Sequence, residues 1–388
     1  MRYRDVVIKG RIIVTNKGVS RLQAGEVWLG RGYVEGRRPT HPGIYALLDK
    51  KRRFVGLAFL SPSSPHYLRI FSREEVEPDE RYWKKVIREA YEKRKGLASI
   101  TNAMRIVHGE ADKIPSVVID MYGDIVSFQI TSYGAETIKE IIISIILELF
   151  RPSAIIEKDN ATQRKIEGLP LIERIVCGEK HVASVYEGGL TFELDVLGGQ
   201  KTGAYLDYRE LRSAASNLAG GRVLDGFSYE GWLSCLLSRK VAYVISIDSS
   251  ADAIKAGIKN ASINGCENIE FVRGDVVKYL ASSNEVFNFI HLDPPPLAKR
   301  RMDLMPALAY YRRLAQLALR ALDRDGILMI SSCSQAVSME ALERVIIEAT
   351  QKRNGTVIFR GMQDTRDHPI IPGRKELFYL KAVAVKVD

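Results

Sequence analysis

A short apolar segment runs into a turn of small and polar residues in VLDGFSYEG, residues 223–231. The pattern predicts a β-strand, a tight turn and a helix that begins near Trp232, and such a turn lets a ligand approach the backbone. The turn has neither the G-x-G-x-x-G spacing that binds dinucleotides nor the G-K-[ST] sequence that binds phosphates. It therefore weakens the interpretation that the chain binds a dinucleotide.

Apolar strands and helices alternate on both sides of this turn, from about Leu190 onward. Such alternation predicts an α/β domain with a doubly wound parallel sheet. In sheets of this kind ligands bind at the carboxyl ends of the strands, so the residues that end each strand are the candidate site residues. The predicted strands are residues 223–225, 241–248, 269–273, 287–292 and 326–331.

Carboxylates end the first three of these strands, at Asp225, Asp248 and Asp275. Asp248 can accept two hydrogen bonds from a ribose diol, and the alternative is that it caps the helix predicted at Ser250–Ile263. Asp275 can accept a hydrogen bond from an adenine amino group. Three strand-end acids without phosphate-binding glycines favour a cofactor that carries adenosine, and S-adenosylmethionine fits that description.

The fourth strand ends in Asp293, followed by three prolines, and the fifth in Cys333, flanked by serines. The prolines predict a rigid wall beside an exposed carboxylate, or only a stiffened turn. The serines favour a thiol exposed at the rim of the sheet, although cysteines are usually buried and inert, as we expect for Cys235. The four cysteines show no C-x-x-C spacing, so we expect neither a metal site nor a disulfide framework.

The net charge of +10 is concentrated near the N-terminus. Residues 1–72 carry 14 Lys and Arg against 4 Asp and Glu, which leaves 43 residues of each sign in the rest of the chain. A local excess of this kind favours contact with RNA phosphates, and a solvated loop surface is the alternative. Tyr310 and Tyr311 could stack on bases or lie in the core. The predicted RNA-binding cations are Arg37, Arg38, Lys51, Arg52, Arg53, Lys299, Arg300 and Arg301.

Three domains are predicted along the chain. Residues 1–72 form short strands between Gly and Pro turns, residues 73–188 mix helices and strands, and residues 189–388 form the α/β domain. The longest apolar run, Ile141–Leu149, forms one face of a helix and is far too short to cross a bilayer. The first ten residues lack the apolar core of a secretory signal, so we expect a cytoplasmic protein without a membrane partner.

Several motifs match one known family in order and spacing. They are GLAFLSPSS (56–64), PSVVID (115–120), YGD (122–124), QKTGAYLDYR (200–209), FSY (227–229), DPP (293–295), SCS (332–334) and DHP (367–369). Over nearly its full length the chain resembles the 5-methylcytosine methyltransferases of large-subunit ribosomal RNA. The resemblance implies a small β-rich PUA-like domain, an α+β middle domain and a Rossmann-like class I methyltransferase domain, with S-adenosylmethionine as cofactor and ribosomal RNA as partner. The chain departs from the family at Glu230-Gly231-Trp232, where Thr-Gly is usual.

The resemblance also implies roles for individual residues. Cys333 attacks carbon 6 of cytosine, because carbon 5 becomes nucleophilic enough to take a methyl group only after covalent activation of the ring. Asp293 hydrogen-bonds ring nitrogen 3, and the base that removes the carbon 5 proton is left open. A cation such as Lys201 or Arg209 is expected to lower the pKa of the thiol. The expected cofactor-binding residues are Lys201, Thr202, Tyr205, Asp207, Arg209, Asp225, Phe227, Ser228, Gly231, Asp248, Asp275 and Asp293.

Three other functions stay open. A related group of guanine-specific ribosomal RNA methyltransferases shares the D-P-P motif but lacks a cysteine at the fifth strand. A catalytically silent RNA-binding or ribosome-assembly protein would not need the acids and Cys333 together, and a nicotinamide-dependent enzyme would need the missing glycine pattern. The sequence also leaves open transfer RNA as the substrate and the formation of a homodimer.

Overall fold

The chain folds into two units. The computed structural model describes residues 7–298, 301–371 and 377–388. The first unit comprises the chain up to Ala183 together with Leu194–Ala204, and the second comprises Ser184–Glu193 and Tyr205–Asp388. The predicted boundary near residue 72 lies inside the first unit, so the division into three domains stays a prediction.

The N-terminal part of the first unit is a five-stranded sheet with a hydrophobic core of its own. Its elements are β1 (Ile8–Ile13), α1 (Asn16–Gln23), β2 (Trp28–Leu29), β3 (Gly43–Leu48), β4 (Phe54–Leu60) and β5 (Leu68–Ser72). The strand order is β1-β3-β4-β5-β2, in which only β1 and β3 are parallel neighbours. The sequence predicts only strands here, and α1 is a correction: Thr15 Oγ1 accepts the Gly18 N–H at 3.1 Å and caps this helix.

The rest of the first unit contains a second five-stranded sheet, of order β10-β9-β8-β7-β6, and four helices. The elements are α2 (Glu80–Arg94), β6 (Ala103–His108), β7 (Val117–Tyr122), β8 (Ile125–Ile130), α3 (Tyr133–Glu136), α4 (Lys139–Phe150), β9 (Ala154–Asp159), α5 (Thr162–Glu167) and β10 (Ile172–Cys177). The apolar run of the sequence becomes the buried face of α4, where Ile142 and Ile145 are fully buried. Within the described ranges, no helix combines the length and apolar character needed to cross a membrane.

The second unit is built on a seven-stranded sheet of order β15-β14-β13-β16-β17-β19-β18. A separate two-stranded sheet precedes it, formed by β11 (Val182–Glu187) and β12 (Leu190–Asp195). The elements of the main sheet and its helices are α6 (Arg209–Leu218), β13 (Arg222–Gly226), α7 (Trp232–Ser238), β14 (Tyr243–Asp248), α8 (Ala251–Ile263), β15 (Ile269–Arg273), α9 (Val276–Ser282), β16 (Phe287–Leu292), α10 (Leu304–Arg320), β17 (Leu322–Ser332), α11 (Met339–Thr350), β18 (Thr356–Met362) and β19 (Lys381–Lys386).

The five predicted strands of this sheet all run parallel, as expected for a doubly wound fold. The strand order reverses between β13 and β16, which leaves a crevice at the carboxyl ends of these strands. Both faces of the sheet are covered, because the consecutive residues Val223 and Leu224 point to opposite faces and pack into different hydrophobic clusters. β19 is an addition to the prediction, since it pairs antiparallel with both β17 and β18.

Candidate active site at the carboxyl ends of the strands

The turn after β13 has a strained and specific backbone. Phe227, Tyr229 and Gly231 all adopt positive φ angles, of 64°, 49° and 70°. The Ser228 N–H donates to Ile247 O at 3.0 Å, which fixes the turn against β14. A Cβ atom at Gly231 would lie 2.9 Å from Cε1 of Phe271, so both the conformation and the space favour glycine. Phe227, Ser228 and Gly231 therefore lie in one tight turn at the crevice.

Asp248, at the end of β14, supports this turn with its carboxylate. Oδ2 accepts the Tyr229 N–H at 2.9 Å, and Oδ1 accepts the Ser250 N–H at 2.8 Å. The cap of α8 is Ser250, whose Oγ accepts the Ala253 N–H at 3.2 Å, so the alternative that Asp248 caps this helix is wrong. Each carboxylate oxygen can accept more than one hydrogen bond, which leaves acceptor capacity for a ribose diol.

Asp275 follows β15 and is an exposed helix cap. Its Oδ1 accepts the Lys278 N–H at 2.8 Å at the start of α9. The cap uses one of the two carboxylate oxygens, so the residue combines a structural role with an acceptor at the edge of the crevice.

The Ser228 hydroxyl indicates that this turn suits a cofactor with polar groups. Its Oγ is buried and has no hydrogen-bond partner within the described part of the chain. A buried polar atom without a partner costs about 1 to 3 kcal/mol, so a ligand with polar groups would stabilise this turn. The turn thus fits a cofactor such as S-adenosylmethionine. Trp232, where the chain departs from the family pattern, stacks on Phe192 with 4.5 Å between the ring centroids.

Asp225 is buried and held by the protein itself, with 1% of its surface exposed. Its Oδ2 accepts from Ser234 Oγ at 2.6 Å, and its Oδ1 lies 2.8 Å from His291 Nδ1. Both carboxylate oxygens of Asp225 therefore have partners within the fold, and its role in binding the cofactor stays a prediction.

His291 also takes part in hydrogen bonds that lead from Asp225 to Asp293, the residue that follows β16. The phenol oxygen of Tyr208 lies 2.6 Å from His291 Nε2 and 3.0 Å from Ser331 Oγ. Ser331 Oγ in turn hydrogen-bonds Asp293 Oδ1. The sequence analysis does not single out His291, Tyr208 or Ser331, although His291 stands two residues before Asp293 and so points to the same side of the strand.

Cys333 directly follows β17 and is half-buried. The residues around it join two loops: Ser334 Oγ accepts the N–H groups of Leu297 and Ala298, at 2.9 and 3.1 Å. These two residues belong to the loop that begins with Asp293. The structure thus brings the Asp293 loop and the Cys333 segment together at one edge of the sheet.

The pKa values of two tyrosines are raised at this edge of the sheet. Burial raises the pKa of Tyr205, and the nearby charges of Asp293 and Cys333 raise it further. Burial likewise raises the pKa of Tyr311 to about 12, although its hydrogen bond to Ser332 Oγ opposes the shift. Tyr205 also packs edge to face on Tyr229 of the turn, with 5.4 Å between the ring centroids. Tyr205 therefore lies near Asp293, Cys333 and Tyr229.

Other residues of the QKTGAYLDYR motif have structural partners. Arg209 is buried and pairs with Glu187, Asp364 and Asp367, at 3.2, 2.7 and 3.2 Å. These ion pairs compensate the charge of Arg209 within the fold, and its role at the cofactor or at Cys333 stays a prediction. Asp207 Oδ2 accepts from the Tyr379 phenol at 2.6 Å.

The other two predicted site residues of the motif, Lys201 and Thr202, lie in the first unit. Thr202 is buried there, and its hydroxyl hydrogen-bonds Asp120 and the phenol of Tyr122. The hydroxyl of Thr202 thus stabilises the structure of the first unit. Lys201 is exposed and adopts a positive φ of 53°.

The predicted RNA-binding cations of the first unit are all exposed. Arg37 and Arg38 lie in a loop, and Lys51, Arg52 and Arg53 lie in the turn between β3 and β4. Of the other three predicted RNA-binding cations, Lys299 and Arg300 lie outside the described residues, and Arg301 begins a short 3-10 turn. Tyr311 is fully buried, so it belongs to the core, and Tyr310 is half-buried.

Comparisons with known proteins agree with this geometry. A PUA-like domain matches residues 12–73, and a methyltransferase domain matches residues 217–371. The ribosomal RNA large subunit methyltransferase I of Yersinia pestis bv. Antiqua (strain Angola) is 31% identical over 354 residues, which cover 88% of this chain and 89% of the relative.

Two solved structures share the fold across the whole chain. A protein from Streptococcus mutans described as a SAM-dependent methyltransferase superposes with a TM-score of 0.81 at 21% identity, covering 98% of this chain and 100% of that one. A second methyltransferase structure, complexed with SAH, gives a TM-score of 0.82 with the same identity and coverage. The predicted fold is thereby confirmed. With this similarity over nearly nine tenths of its length, the chain belongs to the family of ribosomal RNA large subunit methyltransferase I.

Proposed function

We propose that the protein methylates carbon 5 of a cytosine in large-subunit ribosomal RNA, with Cys333 as the nucleophile. The observation that carries the proposal is the pair of hydrogen bonds from Leu297 and Ala298 to Ser334 Oγ, which joins the Asp293 loop to the Cys333 segment. A thiol and a carboxyl group at one edge are what covalent activation of cytosine requires. The name of the Yersinia relative supports ribosomal RNA as the substrate.

The strand ends offer groups that would hold the cofactor. Asp248 retains acceptor capacity for the ribose diol, and Asp275 for the adenine amino group. The Ser228 hydroxyl would find a partner among the polar groups of the ligand, and the turn of Phe227–Gly231 brings its backbone close. When bound, S-adenosylmethionine supplies a methyl group on a positively charged sulfur.

The residues of the chain perform the remaining steps. The thiolate of Cys333 forms a bond to carbon 6, while the carboxyl group of Asp293 gives a proton to ring nitrogen 3. Carbon 5 is then an enamine carbon, nucleophilic enough to take the methyl group that the cofactor would supply. Loss of the carbon 5 proton to a base re-forms the double bond, the thiolate of Cys333 leaves carbon 6, and the proton returns from nitrogen 3.

The basic surface of the first unit would bind the RNA backbone. Arg37 and Arg38 are exposed in the loop before β3, and the cations of the β3–β4 turn are exposed as well. Phosphate contacts of this kind offset the few kcal/mol that moving a base out of its stack costs. A ribosomal RNA substrate implies that the protein acts in the cytoplasm.

The test supplies labelled S-adenosylmethionine and ribosomal RNA that lacks the modification, and identifies the methylated nucleoside. Wild type is compared with Cys333→Ala, and Cys177→Ala is the matched control because Cys177 is exposed on β10. We expect 5-methylcytosine from wild type and the control, and none from Cys333→Ala. Methylated guanine would contradict the base specificity, and 5-methylcytosine from Cys333→Ala would contradict the nucleophile.

A further inference from the structure

The polar groups beneath the Asp293 loop form one continuous row of hydrogen bonds. From the interior to the rim, the members are Asp225, His291, Tyr208, Ser331 and Asp293. The successive distances are 2.8 Å from Asp225 Oδ1 to His291 Nδ1, 2.6 Å from His291 Nε2 to Tyr208 Oη, and 3.0 Å from Tyr208 Oη to Ser331 Oγ. The last link is the hydrogen bond between Ser331 Oγ and Asp293 Oδ1.

The inner four members of this row are shielded from water. Asp225, His291, Tyr208 and Ser331 are exposed by 1, 3, 6 and 0%, whereas Asp293 is half-buried at the crevice. Burial raises the pKa of Tyr208 well above its ordinary value, and the charge of Asp293 adds to this effect. The phenol therefore stays protonated, and it can give up its proton only while it receives another.

The row admits two complete arrangements of the same protons. In the first, His291 is an imidazolium, and each group donates toward the rim: His291 to Tyr208, Tyr208 to Ser331, and Ser331 to the carboxylate of Asp293. In the second, Asp293 carries a proton and each group donates inward, so that Tyr208 donates to a neutral His291. In both arrangements the His291 Nδ1–H donates to Asp225, which fixes the tautomer of the ring.

We propose that this row is a proton wire that couples the protonation of Asp293 to that of His291. Changing from the first arrangement to the second moves one proton from His291 Nε2 to Asp293 Oδ1. Tyr208 and Ser331 each pass one proton on and receive one, so the number of protons and the net charge of the row stay the same.

The use of the wire in catalysis rests on the proposed function. The wire first delivers a proton from His291 through Tyr208 and Ser331 to Asp293, and as Cys333 adds to carbon 6, Asp293 gives a proton to ring nitrogen 3. His291 is the source of that proton and recovers it when the thiolate leaves. Asp225, His291, Tyr208 and Ser331 are thus positioning residues that act through Asp293.

The first test records the NMR signals of the His291 ring nitrogens in the full-length protein at a series of pH values. Besides the members of the row, the titratable and charged groups that interact with it in the described structure include Tyr205, Tyr311 and, on α6, Arg212. We expect Asp293→Asn to change the signals of the His291 ring nitrogens, because the variant removes the carboxylate that exchanges a proton with the ring.

The wire predicts that the coupling passes through Ser331. The same comparison is therefore made in a Ser331→Ala background, where most of the change should disappear. His181, an exposed ring in the first unit, serves as an internal control whose signals should not respond to Asp293→Asn. Unchanged His291 signals in Asp293→Asn, or an equal change with and without Ser331, would overturn the proposal.

A second measurement separates the wire from the methylation itself. Tyr208→Phe removes one hydroxyl, so it should slow single-turnover methyl transfer and alter its pH profile while cofactor binding stays unchanged. Coupling between Asp293 and His291 without any methylation would support the wire and contradict the proposed function. Full methylation by Tyr208→Phe with an unaltered pH profile would overturn the wire alone.

Discussion

Lys381 is a buried cation beside the proposed nucleophile. It is 1% exposed, and its ammonium donates to the backbone oxygens of Ser334 and Val337, at 2.8 and 2.5 Å. Burial lowers its pKa to about 8, and the charge of Cys333 acts in the opposite direction. The sequence points to Lys201 and Arg209 as cations near the thiol, but Lys381 is a residue that holds the backbone next to Cys333.

The shifted pKa of Lys381 predicts a specific dependence of stability on pH. Between pH 8 and 10.5 the unfolded chain keeps the proton that the folded protein has lost, so the free energy of unfolding rises with pH through this window. We expect the stability of wild type relative to Lys381→Met to rise between these pH values and to fall as the pH drops through about 8. Denaturant unfolding at a series of pH values checks this, and a constant difference would contradict it.

Individual site residues differ in how far the sequence predicts them. Asp248 and Asp293 were identifiable because each ends a strand, and strand ends meet at one edge of a parallel sheet. His291 and Tyr208 were not, because their contact is tertiary and joins residues far apart in the chain. The ion pairs of Arg209 are not predictable for the same reason, since its partners Asp364 and Asp367 come from a distant segment.

At the scale of elements, the turn between β13 and α7 depends on Gly231. The residue combines a positive φ of 70° with a close approach of Phe271 to its missing Cβ. Gly265 has a similar φ of 63° but open space around it. Comparing the two positions therefore separates the cost of the positive φ from the cost of the close contact. A turn with this geometry needs its glycine for both conformation and packing.

We therefore expect Gly231→Ala to destabilise the protein by about 1 to 3 kcal/mol and to weaken binding of S-adenosylhomocysteine. Gly265→Ala should cost less, because only the backbone conformation is unfavourable there. Thermal unfolding and calorimetric titration measure both quantities. An equal cost at the two positions, or unchanged ligand affinity in Gly231→Ala, would show that the close approach is unimportant.

The sequence predicts elements well where one pattern dominates. β15 and β16 begin and end as predicted, because each is a short apolar run between turn residues. α1 was missed because its sequence, NKGVSRLQ, is rich in residues with low helix propensity, and its stability comes from a Thr15 cap and burial of Leu22. The antiparallel direction of β19 was not predictable, since periodicity specifies a strand but not its partners.

At the scale of the whole molecule, the excess of positive charge belongs to the first 72 residues. The balance of charge in the remaining chain means that RNA affinity should depend mainly on this N-terminal surface. Its exposed cations lie at loops and turns, where several of them can reach phosphates together.

The double variant Arg37→Gln/Arg38→Gln should weaken RNA binding and reduce its dependence on salt. Each lost phosphate contact lowers the slope of log affinity against log salt by about 0.7 to 0.9, so we expect a decrease of about one to two. Lys85→Gln/Arg88→Gln, on the exposed side of α2, removes the same charge elsewhere and is the matched control. Equal slopes for the two double variants would contradict a specific role of the N-terminal surface.

The most direct test of the central claim is covalent trapping with an RNA that carries 5-fluorocytosine at the target position, in the presence of S-adenosylmethionine. After methyl transfer, carbon 5 has no proton to lose, so the bond between the enzyme and carbon 6 cannot break by elimination. We predict a protein–RNA adduct whose mass-mapped attachment site is Cys333, retained in Cys177→Ala and absent in Cys333→Ala. An adduct at another residue, or no adduct from an enzyme that converts cytosine to 5-methylcytosine, would contradict the account.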